Sequence, residues 1–543
     1  MITVNKFNVF KIVTAFLLGL LLIALTACED QFTDVNTPSD QLVADNLDAS
    51  LIGQAFAQTQ YFGTWGDAGP HQLGRSLFSD IYAQYFQTTH ESFDSDRFIE
   101  VGRWINGAYG EYYSDAAPQL KLVEDYLNEN NLELESAIAK VWKVHFYHRI
   151  TDYWGPIIYS EFGNGETSVA YDSQEEVYND FFRLLDEAVT VFDANAGNTQ
   201  NLFSDHDLVY AGNIDQWKKF ANSLRLRLAV RISYVDPARA QQEAEAAFNS
   251  GVITDSGDDA LMLTNDNSPN PYRIITQWGE FRMSATMESV LQGYNDPRAA
   301  EYYTPAEATG EYHGMRNGVP ITEKSRSGNN PKGADMGIRW LPASAGGTNY
   351  SLVLFKSSEA YFLRAEGALR GWNMGGTAEE LYNEGIRHSM LDYTEASEEQ
   401  ITAYINSQST PAPFTSKIKP GDPMWDRAPM SDIPVDFDSG GNFERQLEQI
   451  ITQKWIALYP NSVEAWAERR RTGYPVGYSV LESANQNVSR TELMRRMTFV
   501  DSEYSDNNAA VLEAVNLLNG PDNNATRVWW DAKPIADYPT IVE

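Results

Sequence analysis

The sequence is poor in cysteine and in basic residues, and both shortages narrow its possible functions. Only one of the 543 residues is cysteine, which excludes an internal disulfide and any zinc or redox site built on paired cysteines. Lys and Arg number 41 against 75 Asp and Glu, giving a net charge of −34. Because phosphate binding requires a basic surface, we expect no nucleic-acid partner.

The sequence also lacks the motifs of common enzyme classes. HExxH, GxSxG and GxxxxGK[ST] do not occur. His145 and His148 are three residues apart on a predicted helix and could share a metal ion, but no third ligand follows nearby. We interpret the two histidines as a packed or surface pair, and we expect no metal, no cofactor and no catalytic residue.

The first 27 residues have the pattern of a signal peptide. Lys6 and Lys11 precede the uncharged residues 12–25, which as a helix would span about 21 Å, less than the ~30 Å of a bilayer core. The run ends in Leu-Thr-Ala-Cys at residues 25–28, which resembles a bacterial lipobox. We therefore expect cleavage before Cys28 and lipidation of its thiol and amine. The alternatives are an ordinary secretory signal that happens to contain a cysteine, or a buried free thiol.

Residues 28–42 are polar, and their Asn, Thr and Pro disfavour regular structure. We interpret them as a flexible tether between the lipid and a folded body formed by residues 43–543. The acidic residues directly after Cys28 resemble the export signal of lipoproteins that reach the outer face of the outer membrane. The expected location is thus the surface of a Gram-negative cell, anchored by lipid to the outer membrane.

The body is predicted to be predominantly α-helical, because apolar residues recur with helical periodicity in several pairs of segments. One pair, within residues 357–390, occupies 34 residues, which is the period of tetratricopeptide repeats. Three further pairs show the same pattern, so we predict about four tetratricopeptide-like helix pairs. Their helices lie within residues 134–250, 357–390 and 443–470.

Two long segments, 255–354 and 408–442, are rich in Gly, Asn, Pro and Tyr and interrupt the helical pattern. Long irregular segments in a helical body usually carry function, so we place the ligand-binding lobe there. Exposed loop aromatics are the predicted ligand contacts: Trp65, Tyr272, Trp278, Tyr312, Trp340 and Trp425. Tryptophans within helix patterns are predicted to be core: Trp142, Trp154, Trp217, Trp455 and Trp466.

Residues 464–475 read Glu-Ala-Trp-Ala-Glu-Arg-Arg-Arg-Thr-Gly-Tyr-Pro, the strongest local feature of the sequence. The three arginines could form an anion site. However, Glu464 and Glu468 lie at helical spacing from them, which favours structural ion pairs.

Several segments together resemble the SusD/RagB family of nutrient-binding outer-membrane lipoproteins. They keep the order of the family and extend over nearly the whole chain: the lipobox at Cys28, TDYWGPI at 151–157, LRLRLAVRI at 224–232, NDPR at 295–298, SSEAYFLRAE at 357–366, ITQKW at 451–455 and RRRTGYP at 469–475. The segment after Arg496 fits less well, because Thr498 and Phe499 stand where a Tyr-Pro is expected.

The resemblance implies a non-catalytic protein that sits as a lid on a SusC/RagA-type TonB-dependent barrel and passes it oligosaccharides or peptides. It also implies a predominantly α-helical fold, an α-superhelix of about four tetratricopeptide-like pairs with an irregular lobe that carries the ligand site. Aromatic rings would stack on the C–H faces of sugars, and amides and carboxylates would orient the hydroxyl groups. Two other classes stay open on the sequence alone. They are a lipoprotein hydrolase of glycans and a tetratricopeptide adaptor that binds only proteins.

The lipobox generates a direct prediction. Changing Cys28→Ser removes the thiol that carries the lipid, and each lost chain forfeits ~0.8 kcal/mol of membrane affinity per buried CH₂. We expect the variant to leave the membrane fraction on sedimentation. Unchanged sedimentation with membranes would contradict lipidation at this residue.

Overall fold

The computed structural model describes residues 48–198, 200–341 and 350–542, apart from the side chain of Ile338. The chain divides into two compact units, Met1–Ile52 and Gly53–Glu543. Only residues 48–52 of the first unit are described, and all other described residues belong to the second. The expected signal peptide (1–27), the expected lipidation site Cys28 and the expected tether (28–42) lie outside the described residues.

The described chain is mostly helical, as predicted. Its α-helices, in chain order, are α1 (Ala49–Gly63), α2 (Ala68–His71), α3 (Asp80–Tyr82), α4 (Gly102–Gly110), α5 (Ala117–Glu129), α6 (Glu133–Trp154), α7 (Gln174–Ala194), α8 (Ile214–Arg231), α9 (Pro237–Ser250), α10 (Pro271–Trp278), α11 (Ala285–Gly293), α12 (Ala299–Tyr302), α13 (Arg326–Asn329), α14 (Ser357–Leu369), α15 (Ala378–Tyr393), α16 (Glu398–Ile405), α17 (Phe443–Leu458), α18 (Ser462–Thr472), α19 (Asp501–Asp506) and α20 (Asn508–Asn516). Wider π-helical turns, Gln72–Ser79 and Glu111–Ala116, join α2 to α3 and α4 to α5.

The strands are short and form three separate two-stranded antiparallel ladders. They are β1 (Phe86–Thr88) with β3 (Phe281–Met283), β2 (Ala260–Met262) with β6 (Leu352–Phe355), and β4 (Tyr303–Thr304) with β5 (Asp335–Met336). Each ladder joins segments distant in sequence. The strands therefore fasten the loop-rich lobe without forming a sheet large enough to provide its core.

Eight helices form four pairs of chain neighbours: α6 with α7, α8 with α9, α14 with α15, and α17 with α18. The first helices of successive pairs also contact each other, α6 with α8, α8 with α14, and α14 with α17. This nearest-neighbour packing is typical of helical repeats. The predicted fold, a mainly α protein built on tetratricopeptide-like pairs with a loop-rich lobe, is confirmed.

Local sequence explains where these helices begin and how closely they pack. Ser173 and Thr377 each form a capping box with the glutamate three residues later, which satisfies the first free N–H groups of α7 and α15. Gly385 on α15 faces Phe362 on α14, and a Cβ there would lie 2.8 Å from the phenyl ring. The missing side chain thus permits the close crossing of the third pair.

The pairs are joined by a network of buried charges. Arg231 of α8 is fully buried and contacts the carboxylates of Asp152 at 2.9 Å, Glu464, and Glu468 at 3.6 Å. These partners lie on α6 and α18, so one guanidinium links the first, second and fourth pairs.

The network extends to the third pair through two further arginines. Arg227 contacts Glu359 of α14 at 2.7 Å, and Arg471 bridges Glu366 of α14 and Glu468, both at 2.6 Å. Burial raises the pKa values of Glu464 and Glu468, but Arg231 and the other cations outweigh it and hold both below the ordinary glutamate value. The structural interpretation of the 464–475 run is therefore confirmed for Glu468, which pairs with Arg471, whereas Glu464 pairs with Arg227 and Arg231 of α8 instead of with an arginine of the run.

Among the helices of the described part of the chain, none combines the length and apolar character needed to cross a membrane.

The charge network predicts that replacing a buried arginine destabilises the protein far more than replacing an exposed one. In Arg231→Met, three buried carboxylates lose their shared cation, which should lower the free energy of unfolding by about 3–5 kcal/mol. Arg183→Met is the control, because that arginine is 55% exposed and its pairing with Asp180 and Glu187 should contribute less than about 1 kcal/mol. Urea unfolding measures the free energy of unfolding of both variants. Equal midpoints for the two variants would contradict a structural role for the network.

Candidate functional site

Of the six aromatic residues predicted to contact ligand, two are accessible and four are buried. Trp278 is 36% exposed and Tyr312 is partly exposed. The other four are at most 3% exposed, so the expectation that they face solvent is wrong for Trp65, Tyr272, Trp340 and Trp425. The tryptophans predicted to be core are all at most 1% exposed: Trp142, Trp154, Trp217, Trp455 and Trp466.

Two of the four buried residues are fixed by side-chain hydrogen bonds, Trp65 to α4 and Tyr272 to α3. The indole Nε1 of Trp65 donates to the carbonyl of Ala108 at 3.2 Å. The hydroxyl of Tyr272 donates to the carboxylate of Asp80 at 2.9 Å. Each ring therefore has its polar atom satisfied inside the protein, which is the usual arrangement of a structural aromatic residue.

The other two pack against apolar neighbours. The ring of Trp340 meets that of Tyr459 edge-on, with centroids 5.4 Å apart. Trp425 packs with Val319 and Leu481 in a small cluster under the 408–442 segment. Because the short strands of the lobe cannot supply a core, the lobe buries its own aromatic rings instead. Position in a loop therefore did not imply exposure.

Trp278 lies at the start of a tight turn between α10 and β3. The Asn270 side chain caps α10, which ends at Trp278, and Gly279 follows in the left-handed conformation with φ +62°. The side-chain amide of Asn330 donates to the Gly279 carbonyl at 2.5 Å and holds this turn. The chain then reverses into β3, so Trp278 and Glu280 flank the turn.

Glu280 is held from two sides. The side-chain amide of Gln72 donates to its carboxylate at 2.5 Å, and the backbone N–H of Thr89 donates to its carbonyl at 2.9 Å. Burial raises the pKa of Glu280, while His90, Gln72 and Arg326 oppose that rise. The carboxylate is thus positioned next to both hydrogen-bond donors and positive charge.

A second aromatic element lies beside Glu280. The imidazole of His90 stacks on the ring of Phe93 with centroids 4.4 Å apart and planes at 20°. Phe93 in turn meets Trp104 edge-on at 5.4 Å, which fixes its ring. Both stacked residues are partly exposed.

Arg326 completes the arrangement, since its guanidinium donates to the Trp278 carbonyl at 3.4 Å. We define the Trp278 surface as this set of residues: Gln72, His90, Phe93, Trp278, Glu280 and Arg326. It combines an exposed indole with amide, imidazole, carboxylate and guanidinium groups. Such a surface can stack on an apolar ring face and orient hydroxyl or amide groups around it.

Tyr312 lies apart from this surface. Its carbonyl accepts a hydrogen bond from Gln292 at 2.5 Å, in the segment that leads into the β-bridge at Met315. No contact among the described residues joins Tyr312 to the Trp278 surface. Its role as a ligand contact stays a prediction, as does that of Trp278.

His145 and His148 are both 2% exposed and lie inside the helix scaffold. Burial is the main cause that lowers the pKa of each imidazole well below its ordinary value. Of the two arrangements left open by the sequence, the pair is therefore packed and not at the surface. The described residues contain no cluster of three or more His, Cys, Asp or Glu side chains placed to hold a metal ion.

The family model for SusD-like proteins, described as the SusD and RagB outer membrane lipoproteins, matches residues 34–531. The chain belongs to the SusD-like family. Solved structures of SusD homologues match 89–90% of this chain. A chitin-binding SusD homologue from Flavobacterium johnsoniae is 35% identical, with 89% of this chain and 99% of that chain covered and a TM-score of 0.82.

Two further solved SusD homologues are comparably similar. One from Bacteroides thetaiotaomicron is 32% identical, with 90% and 100% of the two chains covered and a TM-score of 0.81. One from Bacteroides ovatus is 32% identical, with 90% and 100% covered and a TM-score of 0.80. No match was found among curated proteins.

Membership of the SusD-like family makes the chain a non-catalytic, nutrient-binding lipoprotein of the outer-membrane class. The expected absence of enzyme activity is therefore confirmed by the family, and a glycan hydrolase is excluded. Within this SusD-like chain, sequence analysis found Trp278 but missed five of its neighbours: Gln72, His90, Phe93, Glu280 and Arg326. Gln72 and Arg326 are 254 residues apart in the sequence, so no local pattern could have grouped them.

Proposed function

We propose that the chain captures neutral oligosaccharides at the Trp278 surface. The observation that carries this proposal is the 36% exposure of Trp278 at a turn where Arg326 donates to its backbone carbonyl and Gln72 donates to the nearby Glu280. A pyranose ring has one apolar face that can stack on the indole and hydroxyl groups at its rim that need donors and acceptors. Gln72, Glu280 and Arg326 supply these groups around Trp278.

The first ligand class to test is oligomers of N-acetylglucosamine. The Flavobacterium johnsoniae homologue, 35% identical over nearly the whole chain, is described as chitin-binding. Chitin oligomers are uncharged, which suits a protein with a net charge of −34, whereas a polyanionic glycan would be repelled. A peptide cargo remains an outcome of the same test.

We further propose that the chain delivers its cargo to a SusC/RagA-type TonB-dependent barrel while anchored through Cys28. What supports this step is the family, whose members are outer membrane lipoproteins, together with the lipobox at residues 25–28. Affinity purification of the full-length chain from solubilised outer membranes should recover a barrel of that type. Recovery of the chain alone would contradict delivery without affecting the assignment of the Trp278 surface.

Replacing Trp278→Ala should weaken binding of chitohexaose by about 1–3 kcal/mol, roughly 5- to 150-fold in Kd, because the stacking face is lost. Since the indole is partly exposed and ends a helix, thermal stability should change little. Isothermal titration calorimetry measures the affinity, and circular dichroism measures Tm.

Leu391→Ala is the matched control for this experiment. Leu391 is 45% exposed on α15, in the helix scaffold, so its truncation removes a similar exposed apolar group without touching the Trp278 surface. Its affinity should equal that of the unchanged chain. Two results would count against the proposal: equal affinities for Trp278→Ala and Leu391→Ala, or binding of peptides but of no glycan.

A further inference from the structure

A cavity separate from the Trp278 surface lies on the helix scaffold, between α5, α6 and the segment 159–163 that follows α6. It has a volume of about 230 Å³, and no residue of the Trp278 surface lines it. Gly163 lets this segment approach α5, since its φ is +78° and a Cβ there would lie 3.3 Å from Cε of Lys121. Drug-sized ligands occupy pockets of about 300–1,000 Å³, so this cavity matches a smaller ligand, on the scale of one sugar ring.

Tyr147 of α6 brings an unpartnered hydroxyl to this cavity. The residue is 3% exposed, and its ring packs against those of Phe146 and Tyr159, with centroids 4.7 Å and 4.9 Å away. No described residue hydrogen-bonds to the hydroxyl, yet it is not one of the side-chain oxygens that are sealed from solvent. The small exposed part of Tyr147 therefore includes its hydroxyl, which faces the cavity. Burial and the nearby Glu124 raise the pKa of Tyr147, so the neutral hydroxyl can both donate and accept.

The charged side chains that line the cavity are matched within the protein. Lys121 pairs with Asp125 at 2.6 Å, and Lys143 pairs with Glu124 at 3.0 Å. These two cations and two carboxylates are the only charged residues among its lining residues, all of which the structure describes. A charged ligand would have to displace a member of one pair or remain unmatched itself, whereas an uncharged ligand leaves both pairs intact. The cavity therefore favours a neutral ligand.

The uncharged groups of the cavity favour a ligand that carries hydroxyl groups. Asn128 is exposed, and its side-chain amide makes no hydrogen bond within the described chain. Phe162 adds a partly exposed ring. The hydroxyl of Tyr159 is already used, because it donates to Asp180 at 2.6 Å. A wholly apolar ligand would remove the Tyr147 hydroxyl from water without giving it a new partner, which is unfavourable.

We propose that this cavity, which we call the Tyr147 cavity, binds a single neutral sugar residue. The Tyr147 hydroxyl and the Asn128 amide would hydrogen-bond to hydroxyl groups of the sugar, and the ring of Phe162 would contact one of its apolar C–H faces. A second sugar site on the helix scaffold would let the chain hold a saccharide away from its loop-rich lobe. This inference is independent of the function proposed for the Trp278 surface, because the two sites share no residue.

The test uses four neutral sugars: D-glucose, D-galactose, D-mannose and N-acetyl-D-glucosamine. Saturation-transfer NMR on the full-length Trp278→Ala chain, in a detergent without a sugar headgroup, should show saturable binding of at least one of them. The Trp278→Ala background makes the result independent of the other surface. D-Glucuronate, D-glucosamine and the apolar ring tetrahydropyran should bind more weakly. No saturable binding of any neutral sugar would overturn the proposal, and so would equal or tighter binding of a charged or apolar probe.

Two further variants in the same background locate the binding. Tyr147→Phe removes one hydroxyl that has no partner in the described chain, so Tm should not change while affinity for the bound sugar falls about 2- to 10-fold. Tyr126→Phe is the matched control, because Tyr126 lies on α5 but does not line the cavity, and its affinity should be unchanged. Asn128→Trp fills the cavity from an exposed position and should weaken binding about tenfold or more. Unchanged affinity in Tyr147→Phe or Asn128→Trp would overturn the proposal.

Discussion

Buried ion pairing between α8 and α18 is the constraint on which the helix scaffold depends. Arg231 is fully buried and touches carboxylates from two other helix pairs. A buried charge is stable only together with its ion-pair partners. Removing one partner destabilises the protein, because the desolvation cost of the remaining buried charges is no longer compensated. The four pairs are thus held in one arrangement by charge as well as by apolar packing.

The loop-rich lobe is held together by a different kind of contact. Its strands are two to four residues long, so backbone ladders contribute little and aromatic packing takes their place. Tyr459 illustrates this, since its ring lies 4.5 Å from that of Tyr302 and 5.4 Å from that of Trp340. The lobe can therefore carry irregular loops and still present Trp278 on a fixed turn.

The Trp278 surface, which we assign to ligand, leaves apolar area rather than charge unsatisfied. At the Trp278 surface the polar groups are mostly paired and the apolar indole is exposed, which suits an uncharged ligand with a flat face.

The sequence by itself determined the helix pairs and the family, because helical periodicity and capping are local properties. It predicted only the local part of the ion pairing in the 464–475 run, since Glu464 pairs with Arg231 of α8 and Arg471 with Glu366 of α14. It did not determine which loop aromatics are exposed. Trp278 and Trp340 occur in similar loop contexts, yet one is 36% exposed and the other 1%. Exposure depends on which distant segments cover a ring, as Tyr459 covers Trp340, and it was the tertiary structure that decided this. The grouping of Gln72 with Glu280 is likewise decided by a contact between residues 208 positions apart.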